Sequence, residues 1–205
     1  CRVGLTDCAM AVVGMAALVR LRKQAPSMRI MVDVGDRNSE RSVQNGTLDI
    51  AIRYADHVPA TRHSDLLFED RFVGAIHASH PLAAQCRSGE PVTAEQYAGL
   101  PHVHTVLRGL KDDHVGNAVT KAGLSRPVPY VGNSFLANLP LLMVGPLVAT
   151  VPSMVGMAAR HMGFDVVTFE LPFQVRPLAY RMYWSERNEG DAANRWVRQV
   201  YRDVS

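Results

Sequence analysis

Residues 2–26, RVGLTDCAMAVVGMAALVRLRKQAP, constrain the fold of this chain more than any other stretch. They read as a buried strand from Cys1 to Leu5, a turn at Thr6 and Asp7, and a helix running to Gln24. Thr6 or Asp7 can accept hydrogen bonds from the free N–H groups of the first turn. Arg20, Arg22 and Lys23 suit the negative end of the helix dipole, and Pro26 closes the helix. Between these signals Val12, Val13, Met15, Leu18, Val19 and Leu21, with Ala9, Ala11, Ala16 and Ala17, leave almost no polar face. A helix apolar all round must be covered on more than one side. One side can pack on a sheet, and the other predicts a partner subunit. Helix starts after parallel strands are also where open α/β sheets bind ligands. One unit is therefore expected to serve core, dimer and ligand at once.

The rest of the chain repeats that pattern. Met28–Val34 alternates as a strand, Asp36–Asn45 reads as a short helix with Ser39 as cap and Asn45-Gly46 as stop, and Leu48–Tyr54 is an apolar strand. Strand, helix, strand, helix, strand describes a right-handed βαβ wind. His57–Asp65 reads as a surface loop. Leu66–Ile76 is extended but broken by Glu69, Asp70 and Arg71, as a strand crossing from one lobe into another would be. A second wind follows: a helix at Glu90–Tyr97, a strand at Pro101–Leu107, a helix at Lys111–Lys121 stopped by Gly123, and a strand at Pro127–Val131. It continues with a helix over Asn133–Val144, a strand at Leu147–Val151, a helix at Ser153–His161 opened by Pro152 and Ser153, and a strand at Val166–Phe169. Leu178–Trp184 is a strand, and Asp191–Asp203 a helix capped by Asp191 with Ala193, Trp196, Val197 and Val200 on one face. The expected architecture is α/β with two lobes, residues 1–69 plus 174–205 and residues 70–173, the return falling in the Pro172–Pro177 segment.

Charge and composition exclude several functions. With 22 basic and 19 acidic residues among 205, a net charge of +3 spread without a basic run lacks the footprint of a nucleic-acid surface. Three scattered cysteines, Cys1, Cys8 and Cys86, build neither a disulfide scaffold nor a zinc module. No apolar run approaches the roughly 20 residues of a membrane helix, and a cytoplasmic location with no membrane partner is expected. The chain starts without Met inside a strand pattern, which predicts a piece of a longer protein.

No G-x-S-x-G elbow, Walker loop, G-x-G-x-x-G after a strand or H-E-x-x-H occurs, so no catalytic residue is assigned. His77 and His80 lie in an extended, Pro-ended segment where their spacing is wrong for a metal. His102 and His104 share a strand face but have no carboxylate or Cys pattern beside them. No metal and no cofactor are expected. What the arrangement offers is donors at helix starts: Thr6 and Asp7, Asn133 and Ser134, with Thr105 at a strand end. Each alone reads as a helix cap; His102, His104 and Arg108 read as surface polar groups, and Met143, Met154 and Met157 as core filler.

Four strings then converge on a family. NGTLDIAIRY (Asn45–Tyr54) looks like the G-x-L-D-I-A-I segment of the effector-binding domain of LysR-type transcriptional regulators. Arg71–Ala83, ending HPLA, resembles its crossover strand, and GPLVATVP (Gly145–Pro152) its glycine-strand-proline segment. MYWSERNEGDAANRWVRQV (Met182–Val200) resembles the closing strand and helix of the subgroup that senses aromatic compounds, the nodulation and naphthalene or salicylate regulators. The likeness spans essentially the whole chain. It implies two Rossmann-like lobes joined by two crossover strands, of the type II periplasmic-binding-protein kind, with a small-molecule effector in the cleft. It also implies a homodimer or tetramer, and a missing N-terminal winged helix-turn-helix through which alone DNA is bound. Carried over by position, Thr6 and Asp7 match the first-lobe turn, His102 and Thr105 the second-lobe strand, and Ser134 with Phe135 the helix start. A His tends to stand at the Ser134 position in the aromatic-sensing relatives, and this departure argues against a salicylate-like effector.

The expected ligand is a small carboxylate-bearing organic molecule held by Thr6, Thr105, Asn133, Ser134 and Arg108, with Phe135 as an apolar wall. Its anionic end should face Asn133 and Ser134, because Asp7 works against an anion at the first helix. Two rivals share the architecture: a solute-binding protein of a transport system, against which the apolar first helix speaks, and a small-molecule enzyme, which lacks a nucleophile.

Overall fold

The computed structural model describes residues 1–34, 39–54, 63–107 and 113–205. It divides into two compact units, Cys1–Glu69 with Leu178–Ser205, and Asp70–Pro177. The return to the first unit falls at Leu178, so residues 174–177 go with the second.

In unit 1, β1 (Arg2–Leu5) lies between two parallel neighbours, β2 (Met31–Val34) and β3 (Ile50–Tyr54). β10 (Leu178–Trp184) runs antiparallel to β3, and β4 (His63–Asp70) closes the far edge, giving the order β2-β1-β3-β10-β4. Val3, Leu5, Ile50, Ile52, Tyr180 and Met182 are buried, which is why these strands read as continuous apolar runs. Residues 57–62 of the expected loop lie outside the described residues, and His63–Asp65 belong to β4 instead.

The helix after β1 is capped by Thr6, whose Oγ1 accepts from Ala9 N–H at 3.1 Å. It starts as α1 (Asp7–Ala9), passes through a π segment (Met10–Gly14) and continues as α2 (Met15–Gln24). Nothing in the residue pattern announces the π segment. Cys8, Ala9, Val13, Ala17 and Leu21 are buried, whereas Met15 and Val19 remain 55% and 51% exposed. One side of the helix is thus covered within the chain and the other is not. α3 (Ser39–Asn45) stops at Gly46, whose φ of +80° is open to glycine at little cost.

α9 (Ala192–Asp203) packs beside α2 on a face other than the one expected. Asn194, Val197, Arg198, Val200 and Tyr201 are buried, Ala193 is exposed and Trp196 is half-buried. The Asp191 carboxylate accepts from Asn194 N–H at 2.6 Å and sets the phase of the helix. Arg198 takes a core position because its guanidinium lies 4.1 Å from the Trp184 ring centroid and pairs with Glu189 at 3.2 Å.

Unit 2 repeats the plan. β6 (His102–Thr105) lies between parallel β7 (Tyr130–Gly132) and β8 (Val148–Pro152). β5 (Phe72–His77) is antiparallel to β8 and to β9 (Val166–Glu170), giving β7-β6-β8-β5-β9. Its helices are α4 (Ala83–Ser88), α5 (Ala94–Gly99), α6 (His114–Lys121), α7 (Phe135–Asn138) and α8 (Ser153–His161). Thr93 and Gln96 form a capping box on α5, and Asp113 caps α6 at Gly116 N–H.

Several helices differ from expectation: α4 lies where no helix is expected, and α5 begins at Ala94, after its Thr93 cap, rather than at Glu90. Instead of one helix over residues 133–144, a single turn of α7 gives way to a 3-10 segment, Leu139–Met143. Pro140 has no N–H to return to the preceding turn, so the α ladder cannot run through it. α8 is capped from outside its own sequence: the Asp70 carboxylate accepts from Ser153 N–H at 3.1 Å, Ser153 Oγ–H at 2.6 Å and Met154 N–H at 3.1 Å.

Candidate functional site

β1 and β6 occupy equivalent places in their sheets. From each, the chain passes first to a strand on one side and then, by a second helix, to a strand on the other. Connections that leave a strand in opposite directions open a crevice beyond its carboxyl end, where open parallel sheets bind ligands. Thr6 follows β1, and Thr105 ends β6.

The end of β6 gathers several of the expected residues. Thr105 is 8% exposed, and its Oγ1 accepts a hydrogen bond from Asn138 Nδ2 at 2.9 Å. Asn138 is placed by α7, its backbone N–H donating to Ser134 O at 3.2 Å, while Ser134 Oγ accepts from Ala137 N–H at 2.9 Å. A Cβ on Gly132 of the adjacent strand would stand 2.0 Å from Asn138 Oδ1. Glycine is what admits the Asn138 amide against the strand. Asn133 is exposed just before the cap. Phe135 is 2% exposed and meets Phe72 edge to face at 6.1 Å, so it is core rather than a wall open to a ligand. With α7 only one turn long, few peptide dipoles add up at its start. The anion attraction expected there therefore reduces to individual donors. Arg108 lies outside the described residues.

His102 is placed otherwise than a ligand contact requires. It is fully buried, and Arg126, which can only donate, gives hydrogen bonds to His102 Nδ1 at 2.9 Å and His104 Nδ1 at 3.2 Å. Both imidazoles therefore carry their proton on Nε2: His102 Nε2–H donates to Tyr97 O at 2.9 Å, and His104 Nε2–H to Asp113 Oδ2 at 2.9 Å. The two histidines do share a strand face, as their spacing predicts, and both bind the Arg126 guanidinium there. Burial, then the Arg126 charge, push the His102 pKa down to about 4. Burial raises the pKa of Tyr97, whose hydroxyl pairs with Thr150 Oγ1 at 2.8 Å and completes the network. Among the described residues no group of three His, Cys, Asp or Glu is arranged to hold a metal ion.

In unit 1, Thr6 and Asp7 stand where expected, at the carboxyl end of β1. Thr6 N–H donates to Ile52 O at 3.2 Å, and both side chains are half-buried. Burial, with Cys8 and Asp7 nearby, raises the pKa of the Tyr54 hydroxyl, which stays a neutral donor. A surface cavity of about 220 Å³ in unit 2, lined by His114, Asn117, Ala118, Lys121, Gln174 and Arg176, includes none of the expected contacts. Arg126 and Asn138 are the neighbours of the candidate residues that the sequence did not single out. Arg126 lies more than twenty residues from the histidines it joins, and Asn138 sits inside what reads as an ordinary helix.

Comparison with known proteins gives one consistent result. A family model described as the LysR substrate binding domain matches residues 1–205. The HTH-type transcriptional activator NagR of a Ralstonia species is 25% identical over 185 residues, covering 90% of this chain and 60% of that protein. The chain thus spans about 60% of that relative's length. The regulatory domain of MexT, a transcriptional activator in Pseudomonas aeruginosa, superposes with a TM-score of 0.81 at 23% identity, covering all of this chain and 96% of the other. The BenM effector binding domain with its effector benzoate gives 0.73 at 18% identity, covering 99% and 90%. No helix among the described residues is long and apolar enough to cross a membrane.

Proposed function

The chain belongs to the LysR substrate binding domain family, and from that premise we propose that it senses a small carboxylate-bearing organic effector for a cytoplasmic transcription factor. DNA binding then resides in a separate winged helix-turn-helix domain of the longer protein, and effector binding governs it by shifting the populations of the regulatory domain. The observation that carries the reading is the cluster of donors at the carboxyl end of β6, where Asn138 holds Thr105 beside the Ser134 turn. Thr105, Asn133 and Ser134 are assigned to the anionic end of the effector. Thr6 and Asp7, at the matching end of β1, are assigned to a neutral or donor group, since the Asp7 carboxylate disfavours an anion. BenM binds benzoate, by the description of its structure, and benzoate is therefore the first probe. The matched relative is a transcriptional activator, which favours a regulator over a transport receptor or an enzyme.

Calorimetric titration of aromatic and aliphatic acids into the parent and Ser134→Ala tests the site. The variant is expected to bind a recognised acid 2- to 10-fold more weakly, about 0.5 to 1.5 kcal/mol for one hydrogen bond. Equal affinities would remove Ser134 from the site.

We also propose that the chain self-associates as a homodimer, the unit from which a tetramer would be built. Met15 and Val19 on the helix, with Met31 and Val34 on the edge strand β2, are each about half exposed. Full burial of such a side chain contributes about 1.5 to 3 kcal/mol, and a two-fold interface counts each contact twice. Val19→Glu is expected to halve the sedimenting mass of the chain; an unchanged dimer mass would place the interface elsewhere.

A further inference from the structure

We infer that Asn138 is a positioning residue that fixes the polarity of Thr105, so that the ligand atom at the end of β6 must be a hydrogen-bond acceptor. This rests on the reading that the end of β6 contacts the effector. Thr105 Oγ1 has one proton to give and lone pairs that receive. Asn138 Nδ2 donates to Oγ1 at 2.9 Å, which occupies a lone pair and turns the hydroxyl proton away from Asn138. Among the described residues Thr105 Oγ1 donates to no acceptor. A threonine free to rotate could greet a donor or an acceptor equally. One held by an amide N–H offers its proton outward, and the atom opposite must receive it: a carboxylate, phenolate or carbonyl oxygen. An amine or ammonium nitrogen in the same place would find only the second lone pair of Oγ1 and would leave the buried hydroxyl proton without an acceptor.

The structure gives Asn138 little freedom to do otherwise. It is 7% exposed, its backbone N–H is bound to Ser134 O, and its amide is pressed against Gly132, where any Cβ would collide with Oδ1. Reversing the amide would turn its oxygen to Thr105 and draw the hydroxyl proton inward, inverting the preference. Gly132, Asn138 and Thr105 therefore act as one device. The glycine makes room for the amide, the amide orients the hydroxyl, and the hydroxyl selects the ligand atom.

The test has one arm without ligand and one with it. In the ligand-free parent, the Asn138 side-chain amide proton is expected to resonate downfield and to move upfield in Thr105→Val, which is isosteric but has no oxygen to accept. Calorimetry with benzoate then runs a double-mutant cycle on Asn138→Leu and Thr105→Val. Each single variant is expected to weaken binding about tenfold, and the double variant no more than either alone, because the amide acts only through the hydroxyl. Gly132→Ala, which displaces the amide without removing it, should reproduce Asn138→Leu, and thermal melts identify any variant that has lost its fold. Losses that multiply in the double variant, or an amide resonance unmoved by Thr105→Val while benzoate still binds, overturn the inference and leave the effector reading standing. If neither benzoate nor any other acid of the panel binds the parent, the effector reading fails and the inference with it.

Discussion

Lowering the pH from 7 to 4.5 is expected to cost unit 2 about 2 to 3 kcal/mol through His102 alone. The imidazole is fully buried, and burial and the Arg126 charge hold its folded pKa near 4, against 6.5 when unfolded. A base whose folded pKa is depressed binds protons more readily in the unfolded chain. Its contribution to stability is complete above the unfolded value, is lost as pH falls through the window from 6.5 to about 4, and changes no further below it. The geometry gives the reason. Protonating Nδ1 would set an N–H against the Arg126 N–H that now donates to it, and Nε2 already carries its proton toward Tyr97 O. His80, whose pKa is also lowered by burial, adds to the loss, while Asp70, whose pKa burial raises, gains stability as it protonates and opposes it. Denaturant melts at the two pH values, on the parent and on His102→Gln, measure the effect. The variant should be weaker at pH 7 and show a flatter pH dependence; an unchanged slope would mean that another group titrates.

Asp70→Ala is the second substitution expected to act strongly, destabilising unit 2 by about 2 to 4 kcal/mol. The carboxylate is 3% exposed and receives three hydrogen bonds from the first turn of α8. Removing it leaves Ser153 N–H and Met154 N–H without an acceptor in a place water reaches poorly, and such donors cost more than the bonds contribute net. Burial raises the pKa of Asp70 while the same three bonds pull it down, so the charge itself is costly and the acceptor geometry is what stabilises. Asp70→Asn, which keeps an oxygen for Ser153, should lose less than half as much. Equal losses in the two variants by chemical denaturation would show that charge, not acceptor geometry, holds α8.

The two winds were legible because their inner strands are buried apolar runs, although the edge strands β2 and β7 are largely exposed, and because several of their helices begin at short polar side chains. Thr6 and Asp191 act as caps in the structure as in the sequence, whereas Thr93, which falls inside the helix expected over Glu90–Tyr97, proves to be the cap of α5. What was not legible depends on partners distant in the chain. His102 and His104 read as one face, correctly, but only Arg126 decides that this face is interior and protonated on Nε2. Arg198 stands outside the apolar face expected for the last helix, and Trp184 and Glu189 are what hold it in the core. Asp70 reads as an interruption of a strand, and its role as the cap of α8 requires the fold. Asn138 carries no pattern at all, because its meaning lies in the hydroxyl and the glycine on two neighbouring strands.

The π segment at Met10–Gly14 gives the first helix a tolerance to loss of a residue that its other parts lack. Its inward residues Ala9, Val13, Ala17 and Leu21 recur every fourth position, and a regular α-helix would turn such a row about 40° further round the axis at each step. Bonds that span five residues wind less per residue, and the wider turn takes up part of that drift. Such a turn is equivalent to one extra residue held inside an α-helix. A lineage could delete a residue there, close the turn to ordinary winding, and keep both ends of the helix seated on the sheet. The same deletion within Met15–Gln24 would swing Leu21 out of the core and carry the exposed Val19 row around with it.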